Sequence, residues 1–276
     1  MLVDTHCHLD AAEFDADREA MLAAARQAGV AAFVVPAIAV DQFDPVLALA
    51  ARHDDVAFAL GIHPLLVERA AESDLARVRE AVAVARGHPR FVGLGEIGLD
   101  YFVPGLDREK QGRFFVEQLR IARDFELPVI MHVRRSVDAI ARELRRFRPV
   151  SGIAHAFNGS EQQARQLIDL GMALGFGGAM TFTRARNIRR LAQSLPLQGL
   201  VLETDSPDIA PAWLHPGRNT PAELPGIARV LAELRGLDPD AVALATAANA
   251  CRVLPALSSV GALRSASVGA PRTEGR

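Results

Sequence analysis

The stretch LVDTHCHLDAAEF, residues 2–14, decides between two architectures. Its apolar opening reads as a strand near 2–7. An open doubly wound sheet carries a glycine-rich loop after its first strand, where the backbone must approach a phosphate closely. Here the strand runs instead into HCHLDAAEF, which contains no glycine. That argues against a dinucleotide-binding sheet and a P-loop and favours the closed parallel barrel, whose chemistry sits where its strands end.

Outward from this stretch, the same alternation recurs. AAFVVPAI near 31–38, VAFALGI near 56–62, FVGLGEIG near 91–98, LPVIMHV near 127–133, GIAHAF near 152–157, MALGFGG near 172–178 and GLVLETD near 199–205 complete a set of eight strand candidates. Amphipathic stretches lie between them. DREAMLAAARQAG puts Met21, Leu22 and Ala25 on one face and closes on Gly29. The stretch from Asp107 repeats apolar residues at helical spacing through Phe114, Phe115, Leu119, Ala122 and Phe125. SEQQARQLIDLG has Ser160, then Gln163, and ends on Gly171, a capping box with a glycine stop. Eight strand–helix units in 276 residues predict a (β/α)8 TIM-type barrel over 1–254. PALSSVGALRSASVGAPRTEGR, 255–276, is small and polar and reads as a disordered tail.

Composition sets the class. Half the residues are hydrophobic and 23% are charged, as in a globular enzyme. A net charge of −2 offers no overall attraction for nucleic acid, so any phosphate-binding surface must be local. Two cysteines make no disulfide framework. There is no cationic signal segment and no membrane-length apolar run. A cytoplasmic monomer is expected.

The strand ends carry the chemistry. The first ends in His6 and His8, the third in His63, the fourth in Glu96, the fifth in His132, the sixth in His155, and the eighth in Glu203 and Asp205. Five of the eight histidines thus fall on one rim, whereas His53, His88 and His215 fall in loops or near helix ends. Burying so many titratable groups together is costly unless something pairs them, and a divalent cation does that. Alternation along a strand puts residues i and i+2 on one face, so His6 and His8 grip one ion together while Cys7 turns into packing. Imidazole and carboxylate suit zinc, manganese or iron, and more carboxylate and water favour magnesium. There are enough groups for two ions, with Glu96 the simplest bridge.

Six blocks now carry a resemblance: DTHCHLD (4–10), GIHP (61–64), GEIGLDY (95–101), LPVIMHVR (127–134), IAHAFNGS (153–160) and LVLETDSPD (200–208). In this order the chain resembles the TatD family of metal-dependent hydrolases over about residues 1–254. The resemblance implies two divalent ions (Mg, Zn or Mn) and hydrolysis of DNA phosphodiester bonds, exonucleolytic, on single strands or 3′ ends. It implies His6, His8, Glu96 and Asp205 around one ion and Glu96, His132 and His155 around the other. His63 matches the family histidine near the scissile phosphate. Leu65 stands where the family often has a second histidine. HPGRNTP supplies Arg218, Asn219 and Pro221 near the family's basic–Asn–Pro pattern, after a shortened loop.

On this reading a metal-activated hydroxide is the nucleophile, Asp205 the general base and His63 the group that stabilises charge or protonates the leaving oxygen. Glu203 is expected to orient His6 or His8. Arg134, Arg218 and Asn219 are the candidate substrate contacts, and Arg184, Arg186, Arg189 and Arg190 form either a solvated face or a backbone contact. Asp100 and Tyr101 are expected only to shape a loop. The same ligands would serve a hydrolase of a small ester, lactone or amide, or of an acyl-RNA bond. A non-catalytic barrel is disfavoured by the intact ligand set.

Overall fold

The structure, a computed structural model, describes residues 1–148 and 150–268. Eight strands lie in one sheet in chain order, each parallel to the next: β1 (Leu2–Asp4), β2 (Val30–Pro36), β3 (Val56–Leu60), β4 (Phe91–Asp100), β5 (Val129–Arg134), β6 (Gly152–His155), β7 (Met172–Phe176) and β8 (Leu200–Leu202). The helices between them are α1 (Arg18–Gln27), α2 (Phe43–Arg52), α3 (Ser73–Ala85), α4 (Arg108–Asp124), α5 (Val137–Arg146), α6 (Glu161–Asp169) and α7 (Arg186–Ser194). α8 (Leu224–Arg235), α9 (Pro239–Val253) and α10 (Gly261–Val268) follow β8. Parallel strands require such crossovers, and the result is the (β/α)8 barrel that the alternation predicts.

Local signals set the helices. Asp107 caps α4 by accepting from the N–H groups of Glu109 and Lys110. Ser160 and Gln163 form the reciprocal capping box at α6. Gly29 and Gly171 take φ of 97° and 92° after α1 and α6, a conformation that only glycine enters freely.

Strand alternation sorts the core into two layers. Along β2, Ala32 and Val34 join one packed cluster while Phe33 and Val35 join the other; along β3, Ala57 and Ala59 separate from Val56, Phe58 and Leu60 in the same way. The first layer is small or β-branched and fills the barrel axis with Val3, Val92, Ile130, Ile153 and Val201. The second holds the aromatic bulk against the helices, including Phe114 and Phe115 of α4. Each such phenylalanine contributes roughly 1.5–3 kcal/mol by burial.

The barrel closes without a ladder between β1 and β8. Backbone bonds of the loops beyond them do the work: Thr5 N–H donates to Leu202 O (3.1 Å), Asp205 N–H to His6 O (2.8 Å) and His8 N–H to Ser206 O (2.8 Å). The two seam strands are therefore short, ending at Asp4 and Leu202 rather than near 7 and 205.

The expectation of a disordered tail from 255 is corrected. Pro255–Ser259 forms a 3-10 turn and α10 follows. Leu257, Val260 and Leu263 are buried in the axial cluster with Val253 and Leu254, so this segment plugs the barrel. Four apolar residues spaced about three apart (Leu254, Leu257, Val260, Leu263) carry that packing inside a polar composition. Residues 269–276 of the expected tail lie outside the described residues.

Candidate metal centre

The axial layer of the barrel leads directly to the site. Two residues beyond axial Ile130 stands His132, and two beyond axial Ile153 stands His155. These histidines are register partners at the ends of β5 and β6. Glu96 enters from β4 and is almost wholly buried. His63 follows β3, its N–H donating to Ile38 O.

His6 and His8 converge by a different route. β1 ends at Asp4, so the pair lies in the loop beyond and strand alternation does not place it. The seam bonds of Asp205 and Ser206 hold that loop instead. Cys7 does turn away. It is buried, its thiol points at Val34 O (3.7 Å), and burial pushes its pKa well up, which removes it as a nucleophile.

Two sets of donor atoms meet at Glu96. On one side, His6 Nε2 lies 3.1 Å from Glu96 Oε2 and 3.5 Å from Asp205 Oδ1, and His8 Nε2 lies 3.7 Å from each. The two imidazole nitrogens are 3.3 Å apart. Ligands at 2.0–2.2 Å from a tetrahedral ion are separated by about 3.4 Å. On the other side, Glu96 Oε1 lies 2.9 Å from His155 Nε2 and 3.3 Å from His132 Nδ1, which are 3.4 Å from each other. One carboxylate therefore faces two ligand sets, one oxygen to each.

His63 Nε2 is also 3.2 Å from Glu96 Oε1, and distance alone would admit it as a ligand. Its other nitrogen decides otherwise. His63 Nδ1 accepts from Leu65 N–H (3.1 Å), so the neutral ring carries its proton on Nε2 and offers a donor there. Burial lowers the His63 pKa and keeps the ring neutral.

Outer partners fix the ligands. Asp100 Oδ2 lies 2.9 Å from His132 Nε2, which turns the Nδ1 lone pair toward Glu96. Asp100 Oδ1 also accepts from the N–H groups of Phe102 and Val103. Asp100 thus contacts a candidate ligand, where the sequence suggests only loop shaping. Glu203 corrects another expectation: its carboxylate lies 3.7 Å from His155 Nδ1 and accepts from Ala156 N–H, and so stands beside that ring rather than His6 or His8. Gly175 makes room for it, since a Cβ there would strike the Glu203 carboxylate. Asp4, fully buried, accepts from the N–H groups of His6 (3.4 Å) and Thr204 (3.0 Å) and lies 2.6 Å from Thr204 Oγ1. It joins the two seam loops. Asp205 itself sits at φ 58°, a left-handed conformation that aspartate tolerates better than most residues.

Burial and neighbouring charges divide the histidines. Burial, then neighbouring His155, lowers the His6 pKa to about 3, so His6 presents a free lone pair. Burial opposes charge on His155, yet Glu96, Asp205 and Glu203 outweigh it and hold the ring protonated. His132 is raised too, its burial outweighed by Asp100 and Glu96. Burial likewise opposes the Glu96 carboxylate, but His63, His155 and His6 hold its pKa well below the usual range. Burial raises Asp205 to about 6. Among the described residues, eight buried side-chain polar atoms lack a hydrogen-bond partner, and four are here: His6 Nδ1, Glu96 Oε1, His155 Nδ1 and Glu203 Oε2. Of these only Glu96 Oε1 belongs to the ligand sets, and its unmet demand among imidazole nitrogens at ligand spacing fits a divalent ion.

The expected substrate contacts separate. Arg134 is exposed at the end of β5 and lies 3.8 Å above the ring of exposed Phe102. Arg218 does not serve as a free clamp: it makes a bidentate pair with Asp17, bonds Glu13 O and covers Phe14. Asn219 is buried and makes no rim contact. Its Nδ2 donates to Thr204 O and Asp208 O, both 2.8 Å, and so braces the Asp205 loop. In the arginine run, Arg189 bonds Met180 O, while Arg184, Arg186 and Arg190 are exposed. No described helix is long and apolar enough to cross a membrane.

Comparison with known proteins points the same way. The profile of the TatD-related DNases matches residues 3–255. The metal-dependent hydrolase YjjV of Escherichia coli is 40% identical over 90% of this chain and 95% of its own length. Its crystal structure superposes with a TM-score of 0.88, covering 92% of this chain and 98% of that one. A Cronobacter sakazakii protein named 3′–5′ ssDNA/RNA exonuclease TatD is 34% identical over 91% of this chain and 97% of its own.

Proposed function

The chain belongs to the family of TatD-related DNases, and from that premise we propose that it is a divalent-metal-dependent nuclease acting on single-stranded DNA from the 3′ end. At the coarser level it is a hydrolase of ester bonds. The observation that carries the proposal is Glu96, whose Oε2 lies beside His6 and whose Oε1 lies beside His155 and His132.

His6, His8, Glu96 and Asp205 would hold one ion, and Glu96, His132 and His155 the other, with Mg, Mn or Zn all compatible with the donors. Ions there supply Lewis acidity, activate water near neutral pH and offset charge on a phosphoryl group. Asp205 accepts the proton of the attacking water; its raised pKa suits a base working near neutrality. His63 offers Nε2–H to the phosphoryl or leaving oxygen, and the Leu65 bond keeps that tautomer in place. Asp100 holds His132 by its Nε2, and Glu203 holds His155 near its Nδ1. Exposed Phe102, with Arg134 at 3.8 Å and Arg135 at 4.7 Å from its ring centroid, puts cations and an aromatic on the rim beside β4 and β5. That pairing suits single strands, which combine phosphate charge with unstacked bases.

The test is cleavage of 5′-labelled single-stranded DNA by purified protein. A ladder shortening from the 3′ end, abolished by chelator and restored by Mg or Mn, is expected. A protein inert on DNA and RNA but active on lactones would overturn the proposal in favour of a carboxyl-ester hydrolase.

A further inference from the structure

A groove of about 720 Å³ opens beside the metal centre, between the loops that follow β1, β7 and β8. One of its walls is hydrogen-bonded to the site. Asp208, on its wall, donates its N–H to Asp205 O (2.9 Å), and Asn219 ties Asp208 O to Thr204 O. Its volume falls within the roughly 300–1,000 Å³ of small-ligand pockets.

The lining names the occupant. Phe182 and His215 meet edge to face with centroids 5.5 Å apart, and the Arg184 guanidinium lies 5.5 Å from the Phe182 ring. Ile209 adds exposed apolar surface. The charges nearly balance: Arg184 and Arg218 face Glu13 and Asp208, and Arg218 is already paired with Asp17. An aromatic, nearly neutral groove suits a base and its sugar better than a phosphate. The phosphate belongs at the neighbouring cation site.

We propose that this groove receives one nucleoside of a single-stranded DNA, its base stacked on one of the Phe182 and His215 rings and edge-on to the other, while the adjoining phosphodiester lies at the metal centre. This rests on the nuclease reading above. Aromatic platforms of this kind bind any base through its π-face, so the groove grips the strand without selecting sequence.

The test separates binding from cleavage. Binding of a fluorescent oligothymidylate is measured by anisotropy in chelator, and hydrolysis of bis(p-nitrophenyl) phosphate, which has no nucleoside, is measured with metal. Phe182→Ala and His215→Ala should each weaken binding by about 5- to 100-fold. Phe182→Tyr should keep it, and phosphodiester hydrolysis should stay within about twofold of wild type in all three. His215 is exposed, so its variant avoids any folding defect at Phe182. Unchanged binding, parallel loss of both readouts, or a wild type that does not bind the oligonucleotide overturns the groove. A wild type that binds in chelator but leaves the strand uncut with metal retains the groove and sinks the nuclease reading instead.

Discussion

The two halves of the candidate metal centre are built by different means. His132 and His155 stand at the ends of β5 and β6, one alternation step beyond axial residues and paired in register. His6, His8 and Asp205 stand on loops across the β1–β8 seam, where no ladder exists and hydrogen bonds through Asp4, Thr204 and Ser206 hold the geometry. Sheet periodicity positions the first half. A buried polar network positions the second, and such a network fails as a unit when one member is removed.

The largest effect should come from the residue common to both halves. Glu96→Ala removes one oxygen from each ligand set, and DNA cleavage should fall by more than about a thousandfold, beyond the 10–100-fold typical of an outer partner. Retention of activity within tenfold would remove Glu96 from the centre.

The seam should break through Asp4. Asp4→Leu leaves the Thr204 and His6 N–H groups without their acceptor, each orphan costing roughly 1–3 kcal/mol. A loss of stability on the order of 3 kcal/mol or more is expected in denaturant melts near pH 4, with Asp4→Asn close to wild type there. Burial raises Asp4 from 3.8 to about 8, so its contribution is full below the unfolded value and is lost as pH rises through 8. In chelator, the Asn variant should therefore gain on wild type between about pH 4 and 8. A gap that does not move with pH would show that Asp4 is ionised in the fold.

The strand half should yield more gently. Asp100→Ala frees the His132 ring without touching a ligand atom, and metal affinity should drop about 10- to 100-fold while the fold persists. An unchanged affinity would reduce Asp100 to its loop contacts with Phe102 and Val103.

Acid should separate the halves. His155 and His132 have raised pKa values and must release protons before they ligate, whereas His6, lowered to about 3, has none to release and Asp205, raised to about 6, takes one up only at the end of that range. As pH falls from 8 toward 6, the strand-side ion should leave first. Simultaneous loss of both would contradict the contrast.

Legibility from sequence follows the same division. Eight strands, three helix signals and the whole candidate ligand set were readable, because periodicity and strand-end histidines are local. His6 and His8 were paired for a reason that does not apply, since β1 stops before them. Asp100 escaped notice because its role needs the spatial pairing of β4 with β5. Glu203 went to the wrong histidine for the same cause: β6 and β7, not β1, present Ala156, His155 and Gly175 to it. Arg218 and Asn219 looked like rim groups, but their partners lie about 200 and 15 residues away in sequence. The tail read as polar by composition, although its few apolar side chains plug the barrel.

The central claim is that Glu96 joins two ion sites. Titration with Mn²⁺ under electron paramagnetic resonance tests it directly. The account predicts two ions per chain with a spin-coupled signal, and one uncoupled ion in a His132→Ala, His155→Ala double variant. A single uncoupled ion per chain in the wild type would contradict it.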